Sequence, residues 1–386
     1  MRACARVVIV LAPDSFKGSL GAPAVCAAMA VGVRRVFFDD VEVRSCPMAD
    51  GGEGTLDAVL SRGGERHSSS VRGAGGGSRR AHYGVLATAD GPATVIEIAE
   101  IVGITDAAGM AVSVLDRSTS GIGELLRARL DAGARRFMVG LGGSSTNDGG
   151  AGMLAALGVR FRDAAGDTVQ PTPAGLRRLK SIDATGLDPR LTECSFTILS
   201  DVTNPLCGDA GATAIFGPQK GVPVDEVHAL DLVIERYASL AEGALGVQSS
   251  IARRPGSGAA GGLGFAVQLL GGVLRSGADV VADLIGLDEA LCGAEWAITG
   301  EGKSDAQTLA GKAPLIVARR ARAAGVPVTL LSGAVDSAAL PELGQDFAGC
   351  FALPAGPTTL AASLADAGGL VSERTEQLAR LWRASR

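Results

Sequence analysis

The 386-residue chain is 47% hydrophobic and 20% charged, with 36 basic against 41 acidic residues and a formal charge of −5. It can bury the cores of two domains, and it has no broad positive field for nucleic acid. Its 55 glycines and few aromatics (10 Phe, 2 Trp, 2 Tyr) suit tight turns rather than stacking platforms for single strands, which also speaks against a nucleic-acid partner.

Seven scattered cysteines without a C-x-x-C pair imply reduced thiols and a cytoplasmic setting. No apolar run of 18 residues occurs, so no membrane span is expected. Of the 36 basic residues only five are lysine (Lys17, Lys180, Lys220, Lys303, Lys312), which singles out any lysine inside a Gly-rich loop.

In chain order, Val7–Leu11 reads as a strand, 12–20 as a loop and Pro23 to about Val36 as a helix, since a proline is pre-organised for a first helical turn. A second strand over Val41–Cys46 leads to a Gly-rich loop and a helix from about Glu53 to Leu60. Ser68–Arg80, nearly all Ser, Gly, Arg and Ala, reads as a mobile crossing linker. Alternation over His82–Thr88 and Thr94–Ala99 suggests antiparallel strands. Strands are expected at Arg136–Val139, Ser195–Leu199, Glu295–Thr299 and Pro327–Ser332, with helices over Lys312–Ala324 and Thr359–Arg383 and an apolar stretch at Cys350–Leu353.

Both ends thus show βα grammar, and neither has enough strands alone. Joined, residues 1–70 and 290–386 make one parallel-sheet domain, with 71–289 inserted as a second α/β domain.

Loops at the carboxyl ends of these strands carry the candidate chemistry. Ala12-Pro-Asp-Ser-Phe-Lys-Gly-Ser-Leu20 offers Asp14 and Ser15 to a metal or hydroxyl and Lys17 to a phosphate. Met48-Ala-Asp-Gly-Gly-Glu-Gly-Thr55 places Asp50 and Glu53 around Gly51 and Gly52. A helix cap explains those acids but not the glycines, which also admit a ligand to the backbone.

The loop after Arg136–Val139 presents Gly142, Gly143, Ser144, Ser145, Thr146, Asn147 and Asp148 before an apolar helix, a composition suited to an anion cradle. Asp201-Val-Thr-Asn-Pro205 puts Asp201 and Asn204 on one strand-end loop. That pair fits Mg²⁺ ligation or a substrate hydroxyl, and equally an Asx turn.

Phe216-Gly-Pro-Gln-Lys-Gly221 carries a rare lysine and reads equally as a plain turn. Gly300, Glu301, Lys303 and Asp305 follow Glu295–Thr299, and although Gly300-Glu-Gly-Lys-Ser304 echoes a Walker A ending, the first glycine of that motif falls on Ala297. Gly256-Ser-Gly-Ala-Ala-Gly261 fits G-x-G-x-x-G without a preceding strand, which removes the case for a nicotinamide oxidoreductase. None of the three histidines (His67, His82, His228) lies in these loops, so proton transfer falls to a carboxylate.

Taken together, APDSFKGSL, ADGGEGT, GLGGSSTNDGGAGMLAALGVRF, DVTNPLCG, FGPQKG, PGSGAAGGLGF and ITGEGKSDAQTLAGKAP resemble the bacterial type-one glycerate kinases over nearly the whole chain. The resemblance implies ATP-dependent phosphorylation of D-glycerate to 2-phosphoglycerate or 3-phosphoglycerate. It also implies a discontinuous Rossmann-like domain carrying an inserted α/β domain, with the active site in the cleft between them. The chain departs from that family at Ser120, at Glu100–Gly103, in the 72–80 stretch, and at Lys303, where an arginine is customary.

On this reading the Gly142–Asp148 and Lys303 loops hold ATP, with Mg²⁺ bridging its phosphates. Asp201 orients or deprotonates the hydroxyl, and Lys17 sits on the transferring phosphoryl. Asp14, Asp50 and Asp201 are the metal candidates, and Asp14, Asp50 and Glu53 are alternatives for hydroxyl binding. A non-catalytic sensor of a small hydroxy acid or nucleotide is the alternative function.

Overall fold

The structure, a computed structural model, describes residues 6–386. The chain divides into two compact units. One gathers the residues up to Asp50 with Asp57–Gly63 and Ala278–Arg386, and the other consists of Gly51–Leu56 and Gly64–Gly277.

In the first unit five strands form a sheet in the order Gly349–Ala352, Val328–Ser332, Trp296–Thr299, Val7–Leu11, Val41–Ser45, and every pairing is parallel. Trp296–Thr299 and Val328–Ser332 are buried throughout, as strands covered on both faces are. Strand order reverses between Val7–Leu11 and Trp296–Thr299, so the loops after these two strands flank a topological switch point, where open α/β sheets bind ligands.

The helix Ala22–Phe37 packs on the helix Ala367–Ala384. Their close approach requires Gly32, where a Cβ would overlap the Ser372 carbonyl. Trp296 stacks on Trp382 with ring centroids 5.4 Å apart, and the Trp296 indole N–H is satisfied by Thr329 Oγ1 at 2.9 Å. The helix expected over Thr359–Arg383 is broken at Asp366 into Leu360–Ala365 and Ala367–Ala384.

The second unit is built on six strands in the order Val273–Arg275, Ser195–Leu199, Arg136–Gly140, Ala93–Glu97, Ser78–Leu86, Glu65–Arg72. The first four are mutually parallel and the last two antiparallel. The expected antiparallel pair is therefore present, with Ala93–Glu97 also pairing in parallel with Arg136–Gly140.

One expectation is corrected: Ser68–Arg80 is not a linker but the turn-proximal part of a hairpin, with Ser68 opposite His82 and Arg72 opposite Ser78. The segment is polar because Glu65–Arg72 is an edge strand, where charge and hydroxyls are tolerated. Alternate residues Val71, Ala81 and Tyr83 supply the buried face, and Ser70 and Ser78 hydroxyls meet across the strands at 3.1 Å. No helix among the described residues is long and apolar enough to cross a membrane.

Candidate active site

The switch point of the first unit opens into a cavity of about 620 Å³, a volume suited to a small-molecule ligand. Its walls come from four strand-end loops: Asp14, Ser15 and Lys17 after Val7–Leu11, Asp50 after Val41–Ser45, Glu301, Lys303, Asp305 and Lys312 after Trp296–Thr299, and Gly333 and Ala334 after Val328–Ser332. Three of the chain's five lysines line it. Leu353, Pro354, Leu360, Leu364 and Phe16 are apolar residues of its lining.

Asp14 is only 6% exposed. Its N–H donates to the Gly300 carbonyl at 2.8 Å, which ties the two loops together, and its Oδ1 accepts from the Ser15 N–H at 2.6 Å. Burial foremost, then Asp50 and more weakly Glu301, raises the Asp14 carboxyl to about 7 against the Ser15 hydrogen bond and Lys17. A carboxyl so placed exchanges a proton near neutral pH.

Glu301 is buried and positioned by hydroxyls: its Oε1 accepts from Thr308 Oγ1 at 2.6 Å and Ser304 Oγ at 3.0 Å. Lys312 Nζ stands 3.7 Å from its Oε2. Lys303 pairs with Asp305 at 3.4 Å, and Asp305 caps the following 3₁₀ turn by accepting from the Gln307 N–H at 2.9 Å. Those bonds hold the Asp305 carboxyl below its ordinary range, the Gln307 N–H foremost. Gly300 is a close-packing position, since a Cβ there would overlap the Leu331 carbonyl.

The remaining sequence candidates belong to the second unit. Gly51 and Gly52 run over the carboxyl ends of Arg136–Gly140 and Ser195–Leu199, and the Gly51 carbonyl accepts from the Gly142 N–H at 3.0 Å. A Cβ on Gly51 would overlap the Leu199 carbonyl, and one on Gly142 would overlap Gly52 Cα. Gly51 and Gly142 therefore allow two backbones to approach closely here.

The next helix starts at Thr55, beyond Asp50 and Glu53, and a carboxylate distant in sequence caps it. The buried Glu97 does so, accepting from the Gly54 N–H at 3.1 Å and the Leu56 N–H at 2.9 Å. Glu53 is exposed. Sequence reading could not find Glu97, because a strand-end carboxylate 41 residues away carries no local capping pattern.

In the loop after Arg136–Gly140 the side chains are mostly buried. Ser145 Oγ donates to the Val102 carbonyl at 2.8 Å and Asn147 Nδ2 to Thr213 Oγ1 at 3.0 Å. Asp148 is fully buried and accepts from the Thr119 N–H and Oγ1 at 2.7 and 2.8 Å and from the Gly150 and Gly152 N–H groups at 3.1 and 3.2 Å. Burial raises its carboxyl pKa against the pull of those bonds.

Beneath the loop lies Lys220, 2% exposed, donating to Ser144 Oγ at 2.8 Å and the Thr146 carbonyl at 2.9 Å. Burial foremost, opposed by Asp148 and aided by Arg117, lowers its ammonium to about 7. Arg117 itself donates to the Ser145 and Lys220 carbonyls, both at 2.9 Å. Gly143 is the exposed part of this loop, with Gly142 half-buried. The rare lysine in FGPQKG was the available signal for this cluster.

Asp201 is half-buried, and its Oδ1 accepts from the Gly277 N–H at 3.2 Å, at the start of the helix Gly277–Leu284. The Asn204 side chain donates to the Ala210 carbonyl at 2.8 Å, closing a turn. Among the described residues no group of three or more His, Cys, Asp or Glu side chains is arranged to hold a metal ion.

Residues 9–383 match the glycerate kinase family. The chain is 42% identical over 342 residues to the glycerate kinase of Bacillus subtilis (strain 168), covering 88% of each chain. It is 41% identical over 330 residues to the glycerate 2-kinase of Escherichia coli (strain K12), covering 85% of each. A crystal structure assigned as glycerate kinase 2 from Salmonella typhimurium LT2 superposes with a TM-score of 0.83 at 38% identity, covering 98% of this chain and 99% of that one.

Proposed function

The chain belongs to the glycerate kinase family and phosphorylates an alcohol group, and from that premise we propose that it transfers the γ-phosphoryl group of ATP to D-glycerate. The observation that carries this reading is the switch-point cavity of the first unit, where Lys17, Lys303 and Lys312 meet Asp14 and Glu301. Phosphoryl transfer asks a protein for positioning and for neutralisation of oxygen charge. Three lysines at strand-end loops supply the second requirement without a Walker A loop.

In this reading Lys303 and Lys312 hold the triphosphate, and Lys17 follows the phosphoryl group as it moves. Mg²⁺ enters with the triphosphate as part of the substrate, coordinated by phosphate oxygens and water. Asp14 takes the hydroxyl proton, because its carboxyl titrates near 7 and can both accept and release a proton at working pH. Asp201, expected from the sequence to orient or deprotonate the hydroxyl, accepts from the Gly277 N–H, and substitution of each aspartate by asparagine separates the two roles. The Escherichia coli relative's name supports 2-phosphoglycerate as the product. Unpaired thiols such as Cys26 and Cys46 suit a cytoplasmic setting.

The test is to incubate the protein with ATP, Mg²⁺ and D-glycerate, follow ADP, and assign the ester carbon by phosphorus NMR. No ADP above background would turn the reading toward a sensor that binds without turnover.

A further inference from the structure

The lining of the switch-point cavity is both charged and apolar, and the kinase reading uses only the charged groups. The apolar lining is Leu353, Pro354, Leu360 and Leu364, all from the segment after the strand Gly349–Ala352, together with Phe16 beside Lys17. Leu360 and Leu364 lie four residues apart on the short helix Leu360–Ala365, hence on one face of it. That helix buries none of its residues, and the two leucines are 75% and 40% exposed.

Its flanks, by contrast, are anchored. Arg374 donates to the Leu353 and Pro354 carbonyls at 3.2 and 2.8 Å, and Ala367 and Val371 of the following helix are buried. Two leucines held over a cavity, with little protein covering them, present apolar surface for a ligand to cover.

We propose that this apolar lining is the nucleoside-base subsite, with Leu360 and Leu364 covering one face of the base. The proposal rests on the kinase reading and deepens it. A base is flat, with apolar faces and a polar edge, and is tethered through ribose to the phosphates. A cavity lined by three lysines and by Phe, Pro and Leu side chains has groups for both parts of one nucleoside triphosphate. Thr358 and Ser363, also in the lining, carry hydroxyls that can donate to or accept from the base edge.

The test compares wild type with the Leu360→Ser/Leu364→Ser double variant of the full chain, reading the KM for ATP and the inhibition constant of inorganic tripolyphosphate. Tripolyphosphate carries the phosphates without the base. The expected result is a KM for ATP raised roughly tenfold, because the serines no longer shield the face of the base from water, with tripolyphosphate inhibition unchanged and the melting temperature retained. A Leu360→Met/Leu364→Met variant, still apolar, should restore the KM.

An unchanged KM for ATP in the serine variant would overturn the proposal. So would a parallel weakening of ATP and tripolyphosphate, which would place the leucines on the phosphates or on the fold. Failure of the kinase reading looks different: the wild type itself releases no ADP and is indifferent to tripolyphosphate, and both proposals fall together.

Discussion

Lys312 Nζ stands 3.7 Å from Glu301 Oε2, while the other oxygen of that carboxylate is held by the hydroxyls of Thr308 and Ser304. Glu301 is thus fixed from one side and lends Lys312 a direction from the other. An ammonium has three donors, and one distant carboxylate oxygen leaves capacity for phosphate.

From this follows an unequal effect of two lysines. The Lys312 side chain is 31% exposed and that of Lys303 is 64% exposed and paired with Asp305. Lys312→Ala is expected to raise the KM for ATP by roughly 10- to 100-fold, the worth of a shielded charged hydrogen bond, and Lys303→Ala by only a few-fold. Steady-state rates with ATP varied decide it, and a fall in kcat at constant KM for both would remove them from ground-state binding.

Asp14 and Asp201 separate by substitution. Asp14→Asn should lower kcat by about 10²–10⁴-fold, the usual contribution of a proton acceptor. In Asp201→Asn the amide keeps an acceptor oxygen for the Gly277 N–H, so the cap survives and turnover should stay within about tenfold. The reverse pattern, a silent Asp14→Asn and a dead Asp201→Asn with ATP affinity kept, would return the proton to Asp201.

The same carboxyl sets a pH dependence. Asp14 is raised to about 7 by burial and by Asp50, so its basic form is lost as pH falls through that value. A plot of kcat/KM against pH should therefore show an acid limb near 7, and the residual activity of Asp14→Asn should lack it. A limb that persists unchanged in the variant would belong to another group.

Lys220 makes a prediction for stability. Its ammonium falls to about 7 in the folded chain, chiefly through burial, against 10.5 ordinarily. Between those values the unfolded chain binds more protons than the folded one, so the lysine's contribution to stability rises with pH across that window and is least below 7. Comparing urea unfolding of wild type and Lys220→Met at about pH 7 and about pH 9 should show the wild type gaining relative to the variant. Equal gains in both would mean that Lys220 stays charged in the fold.

Metal dependence is the last check. EDTA should abolish ADP release and excess Mg²⁺ restore it, because the triphosphate needs its charge neutralised. Full turnover in EDTA would end the Mg²⁺ part of the reading.

Much of the fold was legible in the chain. The strands Val7–Leu11 and Ser195–Leu199 stand where apolar runs place them, and the helix Ala22–Phe37 starts one residue before its proline. The Ser68–Arg80 part of the hairpin Glu65–Leu86 was not legible, because an exposed edge strand carries the same serines, glycines and arginines as a linker. Of the loop residues named from the sequence, Asp14, Lys17, Glu301 and Lys303 line the switch-point cavity, while Gly51 packs against the Leu199 carbonyl and Asp148 accepts from the Thr119 N–H.

By itself, then, the sequence determined the periodic elements, the loops that follow them and the family, because hydrophobic period and loop composition are local properties that survive in one dimension. Tertiary structure alone decided which polar groups face a cavity and which are consumed by the fold. Glu97 capping a helix 41 residues upstream, Lys220 reaching Ser144 across 76 residues and Leu360 sharing a cavity with the lysines of distant loops are relations in space. Burial and charge neighbours, which set what Asp14 and Lys220 can do, exist only once those distances are closed.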